Sequence, residues 1–165
     1  MSSISVLILM GSDSDAPVMQ AAVDVLREFE VPCEMTVASA HRSPERVMRL
    51  VAEAPGRGVR LFIVGAGAAA HLAGVVAAHT TLPVIGVRID SSALKGMDAL
   101  LSTVQMPPGV PVATVSIGKP GATNAGVLAV QMLALADASL AERLTQYKKK
   151  LADNVEQAAA RLQQE

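Results

Sequence analysis

Short apolar runs alternate with amphipathic stretches along most of this chain, and the alternation restricts the fold more than any other feature. The runs have the length of buried strands, and the stretches between them repeat apolar residues near the helical period of 3.6. Strands separated by helices pair in parallel through right-handed crossovers. The sequence therefore predicts a single doubly wound α/β domain. The predicted strands are Ser5–Met10, Cys33–Val37, Leu61–Val64, Val84–Val87 and Val112–Ile117.

The stretches between these strands carry helix signals. Ser43 as N-cap and Pro44 at the first helical position open the second helix, and Pro55–Gly58 ends it. We find no internal repeat and no linker between domains. The first helix is predicted by an apolar face, which is formed by Val18, Ala22, Val25, Leu26 and Phe29. Further helices are predicted over Ala68–His79, Gly96–Gln105 and Ala122–Ala136.

The C-terminal segment carries an apolar stripe of its own. It predicts a long helix over about 139–164, after an α/β core over about 4–136. At 1.5 Å per residue this helix is roughly 37 Å long. It either packs on its own sheet or forms an arm that packs on a neighbouring subunit. The stripe consists of Leu140, Leu144, Tyr147, Leu151, Val155, Ala158 and Leu162.

The stretch from Leu61 to Val87 holds no Asp, Glu, Lys or Arg and is long enough to span a bilayer. Several glycines, His71 and Pro83 interrupt it, which is typical of a strand, a turn, a helix and a second strand. The apolar run before Gly11 is too short for a signal sequence and no basic residue precedes it. We therefore expect no membrane segment and a cytoplasmic protein.

Charge and composition exclude several classes of function. With 14 Lys+Arg and 15 Asp+Glu the net charge is −1, so the chain lacks the basic face of a nucleic-acid-binding protein. Its three aromatic residues are too few to stack single-stranded bases. A single cysteine, Cys33, excludes a disulfide framework and a cysteine cluster for zinc. No carboxylate lies near His71 or His79 in the sequence, so we expect no metal site.

Polar or glycine-rich loops follow the first three predicted strands, at Gly11–Asp15, Ser39–Pro44 and Gly65–Gly74. Ligands of open α/β sheets bind outside the carboxyl ends of the strands, so these loops predict one shared site. The first loop offers backbone N–H groups, two hydroxyls and a helix N-terminus, which suit phosphate or another anion. Asp15 would repel phosphate. It either caps the helix or accepts hydrogen bonds from the hydroxyls of a sugar.

His41 and Arg42 are the strongest candidates for chemistry. Arg42 supplies a permanent charge and a planar fork for phosphate or carboxylate. His41 exchanges protons near neutral pH and can act as both acid and base. Because His41 and Arg42 are neighbours at the end of a predicted strand, they predict a catalytic site that binds an anion.

Gly65–Ala70 also matches the dinucleotide fingerprint G-x-G-x-x-A after a strand, and Asp90 lies at the matching distance beyond it. A dinucleotide site alone would leave His41 and Arg42 without a role. The alternative is that small residues let backbone N–H groups approach a small ligand closely. His71 either lines the same pocket or caps local backbone, and His79 is expected to be structural.

Four segments together resemble one enzyme family. They occur in order between Ile4 and Leu135, and they are Met10–Asp15, Ser39–Pro44, Gly65–Leu72 and Gln105–Pro107. In these segments the chain is similar to the N5-carboxyaminoimidazole ribonucleotide mutases of bacterial purine synthesis. The resemblance implies a three-layer flavodoxin-like fold, a homo-octamer, and neither cofactor nor metal. It also implies a functional link to the ATP-dependent carboxyaminoimidazole ribonucleotide synthase.

The activity that the resemblance implies moves a carboxylate from the exocyclic N5 to C4 of an aminoimidazole ribonucleotide. Carried over by position, the general acid/base is His41. The residues implied to bind substrate are Ser12, Asp15 and Arg42, and those implied to line the site are Ser14, Ser39, Gly67 and His71.

Three positions depart from the family pattern: Ala68 replaces Gly, and Ala73 and Arg88 replace Pro. If position 68 needs a positive φ, Ala is costly there. Arg88 is expected after the fourth strand, where it either adds a charge near the pocket or points elsewhere. Arg42 matches the mutase branch, since carboxylases that use free carbon dioxide usually have Lys at this place. Such a carboxylase, an NAD-binding oxidoreductase and a nucleotide-sensing module remain the alternatives.

Overall fold

A computed structural model describes residues 4–163 of the chain. Five strands alternate with helices along the sequence, as the apolar pattern predicts. The strands are β1 (Val6–Met10), β2 (Cys33–Val37), β3 (Leu61–Gly67), β4 (Val84–Ile89) and β5 (Ala113–Ile117). The helices are α1 (Ala16–Glu28), α2 (Pro44–Glu53), α3 (Leu72–Ala78), α4 (Met97–Val104), α5 (Gly118–Ala134) and α6 (Ala138–Leu162).

The strands form one parallel sheet in the order β2-β1-β3-β4-β5. This is the order of flavodoxin-like folds, in which ligands bind where the strand order reverses. Here the reversal falls between β1 and β3, whose carboxyl ends pair at Met10 and Gly65. The predicted doubly wound fold is confirmed, and the sheet brings the loops after β1, β2 and β3 to one edge.

Helices cover both faces of the sheet. On one face a buried cluster joins Leu7 and Phe62 of the sheet to Val47 of α2, Val76 of α3 and Ala99 of α4. On the other face α1 lies so close to β3 that a Cβ on Gly65 would come within 2.4 Å of Met19 Sδ. Helix α5 packs on α1 there, since a Cβ on Gly126 would lie 2.8 Å from Val25 Cβ.

β3 and β4 continue further than their apolar runs predict. Gly67 at the end of β3 pairs with Ile89 at the end of β4. The small residues 65–67 read as a turn in the sequence, yet they are the part of β3 that fits beneath α1 and beside the loop after β4. Arg88 consequently lies inside β4 rather than after it, and its side chain is only 2% exposed.

Two helix starts also differ from the prediction. α3 begins at Leu72 instead of Ala68, because Ala68 adopts a φ of +50° that ends the strand in a loop. α5 begins at Gly118, four residues before the predicted Ala122, with Pro120 in its first turn, where proline is tolerated.

The chain divides into two compact units, one up to Ala129 and one from Val130 onward. The second contains α6, which begins after Asp137, whose carboxylate accepts hydrogen bonds from the N–H groups of Ser139 and Leu140. The predicted helix over 139–164 is observed up to Leu162, and position 164 lies outside the described residues. Leu151 and Val155 on its stripe are 42% and 67% exposed. Within residues 4–163, no helix is both long and apolar enough to cross a membrane.

Candidate active site

A cavity of about 370 Å³ opens at the carboxyl edge of the sheet. Its volume lies in the range of pockets that hold small ligands. Residues from the loops after β1, β2, β3 and β4 surround it. The lining residues are Gly11, Ser12, Ser14, Asp15, Ser39, Ala40, His41, Arg42, Ala66, Gly67, Ala68, Ala69, Leu72 and Ser91.

The loop after β1 is held by a capping box. The Ser12 hydroxyl accepts a hydrogen bond from the N–H of Ser14, and the Asp15 carboxylate accepts one from the N–H of Ser12 at 3.2 Å. The Ser14 hydroxyl also donates to that of Ser12 at 2.9 Å. These bonds fix both hydroxyls and the start of α1 before any ligand arrives.

Asp15 is buried, with only 6% of the residue exposed, so its ionised carboxylate loses much of its hydration. Burial raises the pKa of the Asp15 carboxyl above its usual range. The hydrogen bond from Ser12 and the positive charge of Arg42 oppose this rise, and the neighbouring Asp13 adds to it. Asp15 both caps the turn before α1 and faces the cavity, so its position suits a cap and an acceptor for sugar hydroxyls.

Arg42 ties the loop after β2 to the loop after β1. Its Nη2 donates to the carbonyl oxygen of Gly11 at 2.7 Å, and its Nε donates to the Ser39 hydroxyl at 3.3 Å. The same hydroxyl accepts from the backbone N–H of Arg42 at 3.2 Å. The guanidinium is therefore fixed at the cavity wall.

His41 and His71 form a direct contact across the cavity rim. His41 Nε2 lies 2.8 Å from His71 Nδ1, and the two rings meet edge to face at 84°. Since each neutral imidazole has one N–H and one lone pair, one ring donates this hydrogen bond and the other accepts it. His71 does not itself line the cavity; it reaches the site through His41.

The loop after β3 forms the narrow wall of the cavity. A Cβ on Gly67 would lie 2.1 Å from the Ser91 hydroxyl and 3.2 Å from the carbonyl of Ile89, so only glycine fits there without displacement. The next residue, Ala68, has a φ of +50°, a conformation that favours glycine. Position 68 therefore does need a positive φ, and alanine there costs conformational energy that glycine would avoid.

The sheet places the predicted site residues together. Those that line the cavity are Ser12, Ser14, Asp15, Ser39, His41, Arg42 and Gly67. Asp90, which the dinucleotide interpretation needs, is not among the lining residues. No group of three or more His, Cys, Asp and Glu side chains between residues 4 and 163 is arranged to hold a metal ion.

The family model for AIR carboxylase matches residues 5–154. The chain belongs to the AIR carboxylase family. A protein of Mycobacterium tuberculosis named N5-carboxyaminoimidazole ribonucleotide mutase is 54% identical over 156 residues, covering 94% of this chain and 88% of the relative. One of the same name from Pyrococcus horikoshii is 51% identical over 157 residues, covering 95% and 88%.

Two further matches extend the comparison within the AIR carboxylase family. A Candida glabrata phosphoribosylaminoimidazole carboxylase is 51% identical over 156 residues, but this chain spans only 27% of its length. The crystal structure of Treponema denticola PurE superposes with a TM-score of 0.83 at 28% identity, covering 92% of this chain and 94% of that one. The flavodoxin-like fold is thereby confirmed.

Ser91 is a lining residue that the sequence analysis missed. It follows β4, the neighbour of β3 in the sheet, so the rule that ligands bind at strand carboxyl ends could have found it. It lies in no motif, and only the pairing of Gly67 with Ile89 brings its loop to the cavity.

Proposed function

We propose that the protein is an N5-carboxyaminoimidazole ribonucleotide mutase, which converts its substrate to 4-carboxy-5-aminoimidazole ribonucleotide without ATP. The observation that carries the proposal is the convergence, in one cavity, of the guanidinium of Arg42 and of His41, whose ring is bonded to His71. The names of the relatives in the AIR carboxylase family support the same activity.

The loop after β1 and Arg42 suit the ribose phosphate. Ser12 and Ser14 offer hydroxyls at the start of a helix, where anions are favoured, and Arg42 adds a fixed positive charge. Asp15 would accept hydrogen bonds from the ribose hydroxyls, a role that explains why a buried carboxylate is kept at a cost in stability. Ser39 orients Arg42 through its two hydrogen bonds.

The reaction needs one proton to travel out and back. The bond between N5 and the carboxylate carbon breaks, carbon dioxide leaves, and His41 delivers a proton to the nitrogen. C4 then attacks the same carbon dioxide, a C–C bond forms, and His41 removes the C4 proton. Protons and electron pairs balance, so no oxidant, reductant or nucleotide triphosphate is consumed. His71 holds the ring of His41 through their hydrogen bond.

The wall around Gly67 suits the carbon dioxide stage. Small residues, among them Ala66 and Ala69, leave room for a small molecule beside the backbone, and backbone donors at this wall would stabilise its developing charge. Keeping both fragments in one cavity replaces a bimolecular encounter, an advantage that can be worth ~7–11 kcal/mol. Excluding water limits escape of the gas.

The main alternative is a carboxylase that uses free carbon dioxide, as the name of the Candida relative suggests for that protein. Arg42 favours the mutase, because the resemblance places Lys at this position in the carboxylase branch. The two activities separate by substrate: a mutase converts the N5-carboxylated ribonucleotide in carbonate-free buffer, and a carboxylase needs the uncarboxylated ribonucleotide with dissolved carbon dioxide.

We further propose a cytoplasmic homo-octamer that receives its labile substrate from the ATP-dependent carboxyaminoimidazole ribonucleotide synthase. Exposed apolar side chains on and beside α4 support an assembly, since Leu94, Met97 and Leu101 are 64%, 51% and 54% exposed. Sedimentation equilibrium checks the assembly, and a stable monomer at micromolar concentration would contradict it.

The activity is tested by incubating the protein with N5-carboxyaminoimidazole ribonucleotide without ATP and following the ultraviolet absorbance of the C-carboxylated product. We expect conversion by the wild type and a fall of at least about 100-fold in kcat for His41→Asn, with substrate binding retained. Wild-type turnover in that variant would remove His41 from the mechanism. An NAD-induced thermal shift without conversion would instead favour the oxidoreductase.

A further inference from the structure

Ser91 lies where the loop after β4 meets the wall of the active-site cavity. Its Oγ would be 2.1 Å from a Cβ on Gly67, so glycine at that position is what lets the hydroxyl approach the end of β3. The residue lines the cavity and is exposed. It is neither one of the residues proposed to bind the ribose phosphate nor part of the contact between His41 and His71.

The bonding state of this hydroxyl differs from that of the other serines in the cavity. Ser12 and Ser14 bond each other, and the Ser39 hydroxyl accepts from Arg42. Among the described residues, the Ser91 hydroxyl has no hydrogen-bond partner. Its donor and its lone pairs are therefore free for a ligand in the cavity.

The sheet order separates Ser91 from the residues proposed to bind the ribose phosphate. Arg42 follows β2 and Ser12 follows β1, whereas Ser91 follows β4 on the far side of β3. With neighbouring strands about 4.8 Å apart, β2 and β4 are separated by roughly 14 Å. If the phosphoribosyl group binds at the loops after β1 and β2, the imidazole and its carboxylate extend toward Gly67 and Ser91. His41 also extends away from β2, since its ring contacts His71 at the start of α3.

We propose that the Ser91 hydroxyl donates a hydrogen bond to the migrating carboxylate and to the carbon dioxide formed from it. This bond holds the carbon dioxide against Gly67 between its release from N5 and its attack by C4. The inference rests on the proposed mutase function. It predicts a role in retention: without the donor, carbon dioxide escapes before C4 attacks, and uncarboxylated aminoimidazole ribonucleotide accumulates. A hydroxyl that only supported the loop would not change this ratio of products.

The experiment compares Ser91→Ala with Ser92→Ala. Ser92 is the matched control because it is the next residue, does not line the cavity, and uses its hydroxyl to accept from the N–H of Leu94 at 3.2 Å. Both variants are incubated with the N5-carboxylated ribonucleotide, and chromatography measures the C-carboxylated product and the uncarboxylated ribonucleotide. The background of spontaneous decarboxylation is subtracted with a protein-free sample.

We expect Ser91→Ala to lose at least about tenfold in kcat, in line with removal of one donor to a developing charge, and to raise the share of uncarboxylated product severalfold. Ser92→Ala should match the wild type in both measurements. Wild-type behaviour of Ser91→Ala, or equal losses in the two variants, would overturn the proposal. If Ser91→Ala melts early, Ser91→Cys, which is close to serine in size but only a weak donor, replaces it as the test. It must then raise the share of uncarboxylated product, and a wild-type product ratio in that variant would overturn the proposal.

Failure of this inference is distinguishable from failure of the proposed function. A wild-type protein that produces no C-carboxylated ribonucleotide overturns both. A wild type that converts substrate, together with a Ser91→Ala variant that does so equally well and with equal retention, overturns only the role of Ser91.

Discussion

His41 Nε2 lies 2.8 Å from His71 Nδ1, although the two residues are 30 positions apart in the chain. The contact joins the loop after β2 to the residue that precedes α3. It fixes the orientation of the His41 ring, and it places a second imidazole where it can exchange a proton with the first. A histidine that is itself oriented by another group is the usual arrangement of a general acid/base.

We expect His71→Asn to reduce kcat by about tenfold to 100-fold, part of the 10²–10⁴ that a positioned acid/base contributes, with little change in KM. Steady-state kinetics with the N5-carboxylated ribonucleotide provides the measurement. His79→Asn is the control, because the His79 ring bonds the carbonyl of Val75 and lies outside the cavity lining. A larger effect on KM than on kcat would place His71 in substrate binding instead.

We expect Ala68→Gly to stabilise the fold by about 1 kcal/mol, since glycine adopts a φ of +50° without the cost that Ala68 meets. For a chain of this length the melting temperature should rise by about 2–4 °C. Ala69→Gly is a control for which we expect a lower melting temperature. The φ of Ala69 is not positive, so glycine there only raises the conformational entropy of the unfolded chain. Differential scanning calorimetry compares the variants, and a lower melting temperature for Ala68→Gly would contradict the argument.

We expect Asp15→Asn to melt at a higher temperature than the wild type at neutral pH. The folded-state pKa of Asp15 is raised above its ordinary value of 3.8, so the ionised carboxylate costs stability. That cost is fully present above the raised pKa and shrinks as the pH falls through it, and it vanishes only below 3.8, where both states carry the proton. The advantage of the variant should therefore shrink on acidification.

Melting curves between pH 4 and pH 8 test this, with Asp153→Asn on α6 as the exposed control. If Asp15 binds the ribose hydroxyls as proposed, Asp15→Asn should also weaken substrate binding while it stabilises the fold. A stability difference that is constant across the pH range would show that ionisation of Asp15 is not its source.

We expect Arg88→Met to stabilise the protein by about 1 kcal/mol or more, in the direction seen when apolar side chains replace buried ion pairs. Arg88 is 2% exposed, its Nη1 donates to the carbonyl of Gly86 at 3.2 Å, and its Nε has no partner among the described residues. Burial accordingly lowers the pKa of its guanidinium. Urea denaturation of Arg88→Met and of the exposed control Arg60→Met measures the effect, and a less stable Arg88→Met would refute it.

Much of the fold follows from local pattern. Strand β2 was predicted at its observed bounds because apolar and polar residues alternate along it. The carboxyl ends of β3 and β4 were not predicted, because Gly65 and Gly67 resemble a turn and Arg88 resembles the start of a loop. Their place in the sheet depends on pairing partners more than 20 residues away, which local pattern does not encode.

The candidate site shows the same division. Each loop with a polar or glycine-rich sequence was found, because loops after parallel strands meet at one edge. The contact of His41 with His71 and the approach of Ser91 to Gly67 were not found, since they depend on the lengths of β3 and β4. Sequence therefore identified the chemical groups, and the sheet determines which of them touch.

The hydrogen bonds of Arg42 to Gly11 and Ser39 have a consequence for inhibitor design. A site whose charged group is anchored before any ligand arrives presents a fixed template, so a rigid anionic compound of matching shape would meet little rearrangement on binding. Flexible analogues would lose affinity through their own ordering alone. The rigidity of this wall thus makes the shape of a ligand, rather than its adaptability, the property to optimise.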